Sequence, residues 1–226
     1  MPTRELTFME KTVKIARRAY RRKRGSGVTD RGERRIFFLT KEEVERFFAA
    51  IPRDRARDRL LFDLVYRYGL RRSEVAGLRL EGLSDGRIWV GRRKGGVSAD
   101  YPIHPATRRL LWAYLAVRGS SRSPFLLVSR QSGAGAVSTS LIAHLFRTYA
   151  ATADLPPDRR HIHVLRHSIA VHLMNAGLDL ADVRDWLGHQ SLSSTLVYAR
   201  ITEKRRAEAY SRAVASGELA GTGEAS

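Results

Sequence analysis

The 226-residue sequence contains no cysteine, which excludes disulfides, iron–sulfur clusters and thiolate zinc sites. Long apolar runs are missing too. No stretch approaches the roughly 18 residues a membrane span needs, and the first residues lack the apolar segment of a secretory leader. These absences set the expectation of a soluble, cytoplasmic chain with no membrane partner. The glycine-containing segments Gly25-Ser26-Gly27 and Gly133-Ala134-Gly135 do not lead into Gly-Lys-Ser or Gly-Lys-Thr, so a nucleotide-binding P-loop is excluded. Acidic residues are scarce beside basic ones: 23 Asp and Glu face 41 Lys and Arg, a formal charge of +18. That balance suits a polyanion such as DNA or RNA, because each neutralised phosphate releases condensed counterions. A solvated basic surface is the plainer reading of the same excess.

Hydrophobic residues make up 43% of the chain, enough for a packed core. The basic residues crowd towards one end. Residues 1–35 hold twelve Lys and Arg against four acids, a local +8, densest from Arg17 to Arg24 before the break at Gly25-Ser26-Gly27. This segment reads either as an arm, helical around Glu5 to Arg22, that gains order on a polyanion, or as a solubilising tail. From residue 36 the pattern is that of a folded domain. Thr40-Lys41-Glu42-Glu43 is a capping box, with Leu39 as staple and Val44, Phe47 and Phe48 as an apolar stripe. A second helix is expected from Asp54 to Tyr68, closed by Gly69, and a short one from Ser73 to Leu80 with Ser73 as its cap.

The period then changes. Arg87 to Val90 and Ala99 to Ile103 read as strands of a hairpin around a loop from Gly91 to Ser98, with a tight tip at Gly95-Gly96. Helical patterns resume at 105–117, 138–151, 167–176, 180–187, 195–201 and 203–215, and the small polar residues 217–226 are expected to fray. The expected fold class is therefore mainly α with one small antiparallel β-sheet, an α+β domain over residues 36–216 with no internal repeat.

Several polar segments fit a packing role poorly when taken together. Gly69-Leu70-Arg71-Arg72-Ser73-Glu74 follows a helix, and Lys94-Gly95-Gly96 sits on the hairpin. His163-Val164-Leu165-Arg166-His167 adjoins an apolar helix, Leu187-Gly188-His189 closes another, and Tyr198 lies nine residues after His189. Singly, each has an ordinary explanation: the Gly-His pair suits a helix C-cap, and a tyrosine in an apolar helix packs a core. His163 and His167 stand four apart like a helical metal pair, but no Glu follows the first and no cysteine is present, which argues against a metal site.

As a set, in this order, the segments resemble the tyrosine recombinase (phage integrase) family over about Leu39 to Tyr210, the catalytic domain. The resemblance implies Arg71 and Arg166 as an arginine pair, Lys94 as the hairpin lysine, His163 and His189 as the two histidines, and Tyr198 as the nucleophile. Two guanidinium groups can hold the non-bridging oxygens of a phosphodiester bidentately. A phenol with an ordinary pKa of about 10 needs a base or a cationic neighbourhood. His163 is the expected proton acceptor, His189 a donor to a phosphate oxygen, and Lys94 the acid for the departing 5′ oxygen. No cofactor or metal is implied. The implied partner is double-stranded DNA, cut and rejoined through a 3′-phosphotyrosine at two recombination sites held by a homotetramer, with accessory DNA-bending proteins and a nucleoid-associated location. The chemistry also suits a type IB topoisomerase-like relaxer, and the fold alone a DNA-binding regulator.

The sequence departs from the family in two places. Val97-Ser98-Ala99-Asp100 follows Gly-Gly where further basic residues are usual, and Arg92 and Arg93 offer alternative cations to Lys94. Ahead of the domain stand too few residues for the helical clamp most members carry, so the expectation is a catalytic-domain-only member whose basic arm partly replaces that clamp through phosphate contacts.

Overall fold

The computed structural model describes residues 37–92, 96–119, 121–129, 135–190, 195, 198 and 210–216. The basic segment 1–35, residues 93–95 with Lys94 and the first glycine of the expected Gly95-Gly96 tip, and the tail 217–226 lie outside the described residues. The chain runs α1 (Lys41–Ala49), α2 (Ala56–Arg67), α3 (Arg72–Ala76), β1 (Leu83–Ser84), β2 (Arg87–Val90), β3 (Ala99–Pro102), α4 (Pro105–Arg118), α5 (Thr139–Thr152), α6 (His163–Asn175) and α7 (Leu180–Leu187). Thr195 and Tyr198 are helical, as are residues 210–215. The domain is mainly helical with one three-stranded antiparallel sheet, the expected class.

Local chemistry fixes the helix starts. At α1 the Thr40 hydroxyl accepts the Glu43 amide at 3.2 Å while the Glu43 carboxylate accepts the Thr40 amide at 2.8 Å, the predicted capping box. Ser138 caps α5 and Asp179 caps α7, each accepting an amide three residues on. At α3 the expected cap Ser73 is bypassed. The Glu74 carboxylate reaches back to the Arg71 amide at 2.8 Å, so the helix starts at Arg72. It stops at Ala76 because the chain then leaves to pair Arg79 with Phe125. α6 begins at His163, four residues before the expected start.

At the centre of the described domain is α2, buried on nearly all sides between α4 and α6. Its buried carboxylates are all partnered, as burial requires. Asp58 accepts from Arg57 at 2.9 Å and from the Tyr149 hydroxyl at 2.8 Å, and Asp63 accepts from Arg67 at 2.7 Å and from Thr107. The principal core gathers Phe47, Phe62 and Phe146 in mutual ring contact. A second, smaller core joins Ile169, Ala170, Val171, Met174, Val183, Leu187 and Tyr198.

The sheet has order β1-β2-β3. Strand β1 is not foreseen in the alternation pattern because it is two residues long, yet its turn is written plainly. Asp85-Gly86 connects Ser84 to Arg87 with both residues at positive φ, 48° and 71°, the backbone a two-residue hairpin needs. The hairpin β2–β3 pairs Val90 with Ala99 and Arg87 with Pro102. Its returning arm is stitched to the end of α7: Gly96 bridges His189, and the Val97 amide donates to the Gly188 carbonyl at 3.3 Å.

Candidate active site

The fold brings Arg71, His163, Arg166, His189 and Tyr198 together from the α2–α3 junction, the first turn of α6, the end of α7 and the helical position of Tyr198 itself. Lys94 lies outside the described residues.

Glu74 organises the cations. Its side chain is fully buried. One oxygen accepts from Arg71 at 2.7 Å, the other from Arg92 at 2.6 Å, and Arg166 stands 4.0 Å from the second oxygen. Burial alone would raise the Glu74 pKa, but the Arg71 amide and the Arg92 guanidinium outweigh it and hold the carboxyl below its ordinary range. Three guanidinium groups around one carboxylate leave an excess of positive charge, and the neighbouring groups register it. Arg166 is depressed to about 10, first by burial and then by Arg71 and Arg92, and remains charged at neutral pH. His189 is depressed to about 4 by burial and then by Arg166, Arg71 and Arg92. His163 is exposed, and its pKa is lowered by partial desolvation and then by Arg166 and Arg72. Burial is the larger cause of these shifts, but the further share that comes from the guanidinium groups marks an excess of cations, which favours an anion.

Arg166 is held by helix ends. Its guanidinium donates to the Gly69 carbonyl past the end of α2, and to the Leu187 carbonyl of α7 at 2.9 Å. Both carbonyls sit at the negative ends of helix dipoles, which suits a cation. Gly69 is required there: its φ is +58°, and a Cβ would come within 2.5 Å of the Leu187 side chain.

Arg92, one of the alternative loop cations, is committed elsewhere. Its side chain is fully buried, and besides Glu74 it donates to the Tyr101 hydroxyl at 2.8 Å and to the carbonyls of Tyr68 and Trp186 at 3.3 and 3.2 Å. It cannot reach an oxygen outside the domain; it ties the hairpin to the site.

The second histidine position is fixed by its neighbour: His189 Nδ1 lies 3.0 Å from the Thr195 hydroxyl, which directs Nε2 away from that contact. Tyr198 is 2% exposed and packs in the smaller core. Burial raises its pKa to about 12 although Arg166 and Arg71 pull it down. Its hydroxyl lies 2.8 Å from Nδ1 of His167. Among the described residues His163 makes no hydrogen bond to Tyr198, although it is the acceptor expected for the phenol's proton. His167 is no helix-start residue but occupies the second turn of α6, and its ring is depressed to about 4 by burial and then by His163 and His161.

The sequence profile of the phage integrase family matches residues 37–205. The chain belongs to the phage integrase family. It is 36% identical over 178 residues to the tyrosine recombinase XerA of Pyrococcus furiosus, covering 77% of this chain and 61% of that protein. This integrase-family chain thus spans less than two thirds of that relative's length. Among solved structures, the XerH site-specific recombinase bound to palindromic difH substrate in a post-cleavage complex superposes with a TM-score of 0.69 at 26% identity, covering 82% of this chain and 56% of that one. A lambda integrase tetramer bound to a Holliday junction shares the fold with a TM-score of 0.59 at 19% identity, covering 78% of this chain and 55% of that one. The fold is that of a tyrosine recombinase catalytic domain.

Sequence reasoning gives Glu74 no role of its own at the site, offers Arg92 only as an alternative hairpin cation, and reads His167 only as a helix-start residue that packs or hydrogen-bonds near the site. Glu74 carried a usable signal, since its three-residue spacing from Arg71 on a helix start puts the carboxylate within reach of the Arg71 amide and guanidinium. Arg92 carried none, because only the tertiary path of the hairpin buries it.

Proposed function

We propose that this protein is a site-specific DNA recombinase that cuts and rejoins DNA through a 3′-phosphotyrosine on Tyr198. The observation that carries this reading is the cluster of Arg71 and Arg166 around a single carboxylate, beside a buried phenol, in a chain of the phage integrase family.

In this reading the scissile phosphate supplies the missing negative charge. Arg71 and Arg166 hold its non-bridging oxygens as attack adds charge to them. His189, with Nδ1 accepting from the Thr195 hydroxyl, donates from Nε2 to a phosphate oxygen. Tyr198 attacks phosphorus, its O–H proton passing to a neighbouring imidazole, and the 5′ oxygen leaves with a proton from Lys94. His163, on the exposed face of the same helix, supports the phosphate from the solvent side. The released 5′-hydroxyl of a second duplex reverses the attack, so the bond energy is conserved without a cofactor. Residues 36–216 act as the catalytic domain, residues 1–35 as a DNA-contacting arm and 217–226 as a tail. Two duplexes are held by a homotetramer with accessory DNA-bending proteins, at a mobile element in the nucleoid.

The test is covalent capture. The protein is incubated with nicked suicide duplexes carrying a randomised core, and adducts are resolved on a denaturing gel and sequenced. A radiolabelled protein–DNA adduct from the wild type, absent from Tyr198→Phe, is the expected result. An adduct that survives Tyr198→Phe, or a wild type that forms none across the library, overturns the proposal.

A further inference from the structure

His167 is the group in contact with the reacting atom of the proposed nucleophile, and the family resemblance assigns it nothing. It sits one helical turn beyond His163 and next to Arg166 on α6, which is anchored through Ser168 and His172 to the backbone of Leu39. Its Nδ1 is 2.8 Å from the Tyr198 hydroxyl, with the two rings 5.7 Å apart and tilted. A phenol has one proton to donate, and among the described residues no other acceptor lies within hydrogen-bond reach of it. The imidazole is neutral at pH 7, its pKa being depressed to about 4; with the phenol as donor, Nδ1 accepts and the ring carries its proton on Nε2.

We infer that His167, and not His163, holds the Tyr198 hydroxyl for attack and accepts its proton. This rests on the recombinase reading above. As the Tyr198 oxygen bonds to phosphorus, its O–H bond breaks and the proton moves along the existing hydrogen bond to Nδ1; the phosphorus–5′ oxygen bond breaks, and that oxygen takes a proton from the acid on the other side. Rejoining runs the steps backwards, the imidazolium returning its proton to the phenol. A base weaker than free imidazole suffices, because the phenol oxygen becomes strongly acidic as it forms the new bond. A docked phosphate also favours the imidazolium. The charged and titratable groups facing His167 are His161, His163 and Arg166 from α6 and its approach, and Tyr198 from the opposite side. His161, His163 and Arg166 disfavour the added proton, and the phosphate offsets them.

Adduct formation is measured in single turnover against pH, on a nicked duplex recovered from the randomised library. In the wild type the rate falls on the acid side of one inflection. His167→Ala lowers the plateau about 100-fold and removes that inflection, and His163→Ala retains it. His167→Asn keeps an acceptor atom near the phenol but cannot take up a proton, so it stays close to the alanine variant. Full rescue by His167→Asn, an unchanged or faster His167→Ala, or an inflection that follows His163 overturns the inference while leaving the phosphotyrosine reading intact. A second readout needs no DNA. In nitrogen-15 spectra of the full chain, the His167 Nδ1 resonance is that of an accepting nitrogen, and Tyr198→Phe shifts its titration to higher pH by removing a bond that favours the neutral ring. A His167 resonance indifferent to Tyr198→Phe sinks the proposal even if no cleavable duplex is found, and loss of adducts from the wild type alone sinks only the recombinase reading.

Discussion

At the scale of single residues, Glu74 has the largest consequences for its size. A fully buried carboxylate that compensates the buried guanidinium of Arg92 and fixes that of Arg71 leaves uncompensated charge behind when it is neutralised. Glu74→Gln is therefore expected to destabilise the domain by about 3–5 kcal/mol, read from urea denaturation, and to weaken capture of phosphate by freeing Arg71. An unchanged urea midpoint would show that the arginines hold their places without it. Tyr198 shows how context reverses a residue's reading. Its apolar surroundings match a packing tyrosine, and it does pack, at 2% exposure. What supports the proposed nucleophilic role is the imidazole on its hydroxyl and the guanidinium groups whose field opposes its burial.

At the scale of elements, the hairpin and the end of α7 are one unit. Gly188 closes α7 at φ +63°, and a Cβ there would lie 2.8 Å from Arg92 Nε and 2.9 Å from the Val97 carbonyl. Gly188→Ala is expected to cost about 1–3 kcal/mol and to loosen the hairpin. Both effects are measurable, as a lower Tm and as faster hydrogen exchange of the Val97 amide, which donates to Gly188. An alanine variant with native exchange at Val97 would separate the hairpin from α7. The helices are the legible part of the sequence. α1 and α7 fall where the caps Thr40 and Asp179 and the apolar spacing put them, because those signals are local. The start of α6 is not legible in the same way. No Ser, Thr, Asp or Asn stands at Ile162 to announce it, and the two histidines of its first turns do not read as helix formers.

For the whole molecule, charge sets the expected pH dependence of stability and the expected salt dependence of DNA binding. His167 and His189 are depressed from 6.5 to about 4 in the folded state. Between those values the unfolded chain binds more protons than the native one, so stability rises with pH across that window. The contribution is complete above pH 6.5 and lost as pH falls to about 4. Glu74, depressed below 4.5, adds a loss in the same direction at still lower pH. The urea midpoint is expected to be flat from pH 7 to the onset of tyrosine ionisation at about 10, and to fall steeply from 6.5 towards 4, a tenfold difference in proton affinity being worth about 1.4 kcal/mol. The combined variant His167→Gln, His189→Gln should flatten that slope, and a slope that persists would assign it to other groups. For DNA, the +18 chain should bind with a steep inverse salt dependence. Replacing Arg17, Arg18, Arg21 and Arg22 with Gln should reduce the log–log slope by about 0.9 for each phosphate no longer neutralised, measured by fluorescence anisotropy across a salt series. A slope unaffected by the four substitutions would remove residues 1–35 from the interface.

The sequence by itself determined the class of fold, the helix boundaries set by local caps and the candidate residues of the site, because a run of Arg, His and Tyr at fixed spacings around helix ends is a one-dimensional pattern. Only the tertiary structure decided which cation is buried and which imidazole meets the phenol. Arg92 and Arg93 are neighbours on one loop, and His163 and His167 are one turn apart on one helix. Sequence spacing treats each pair as nearly equivalent. Burial against Glu74 and Trp186, and the seat of Tyr198 beside the second turn of α6, depend on how distant segments pack, and that packing makes Arg92 structural and puts His167 on the Tyr198 hydroxyl.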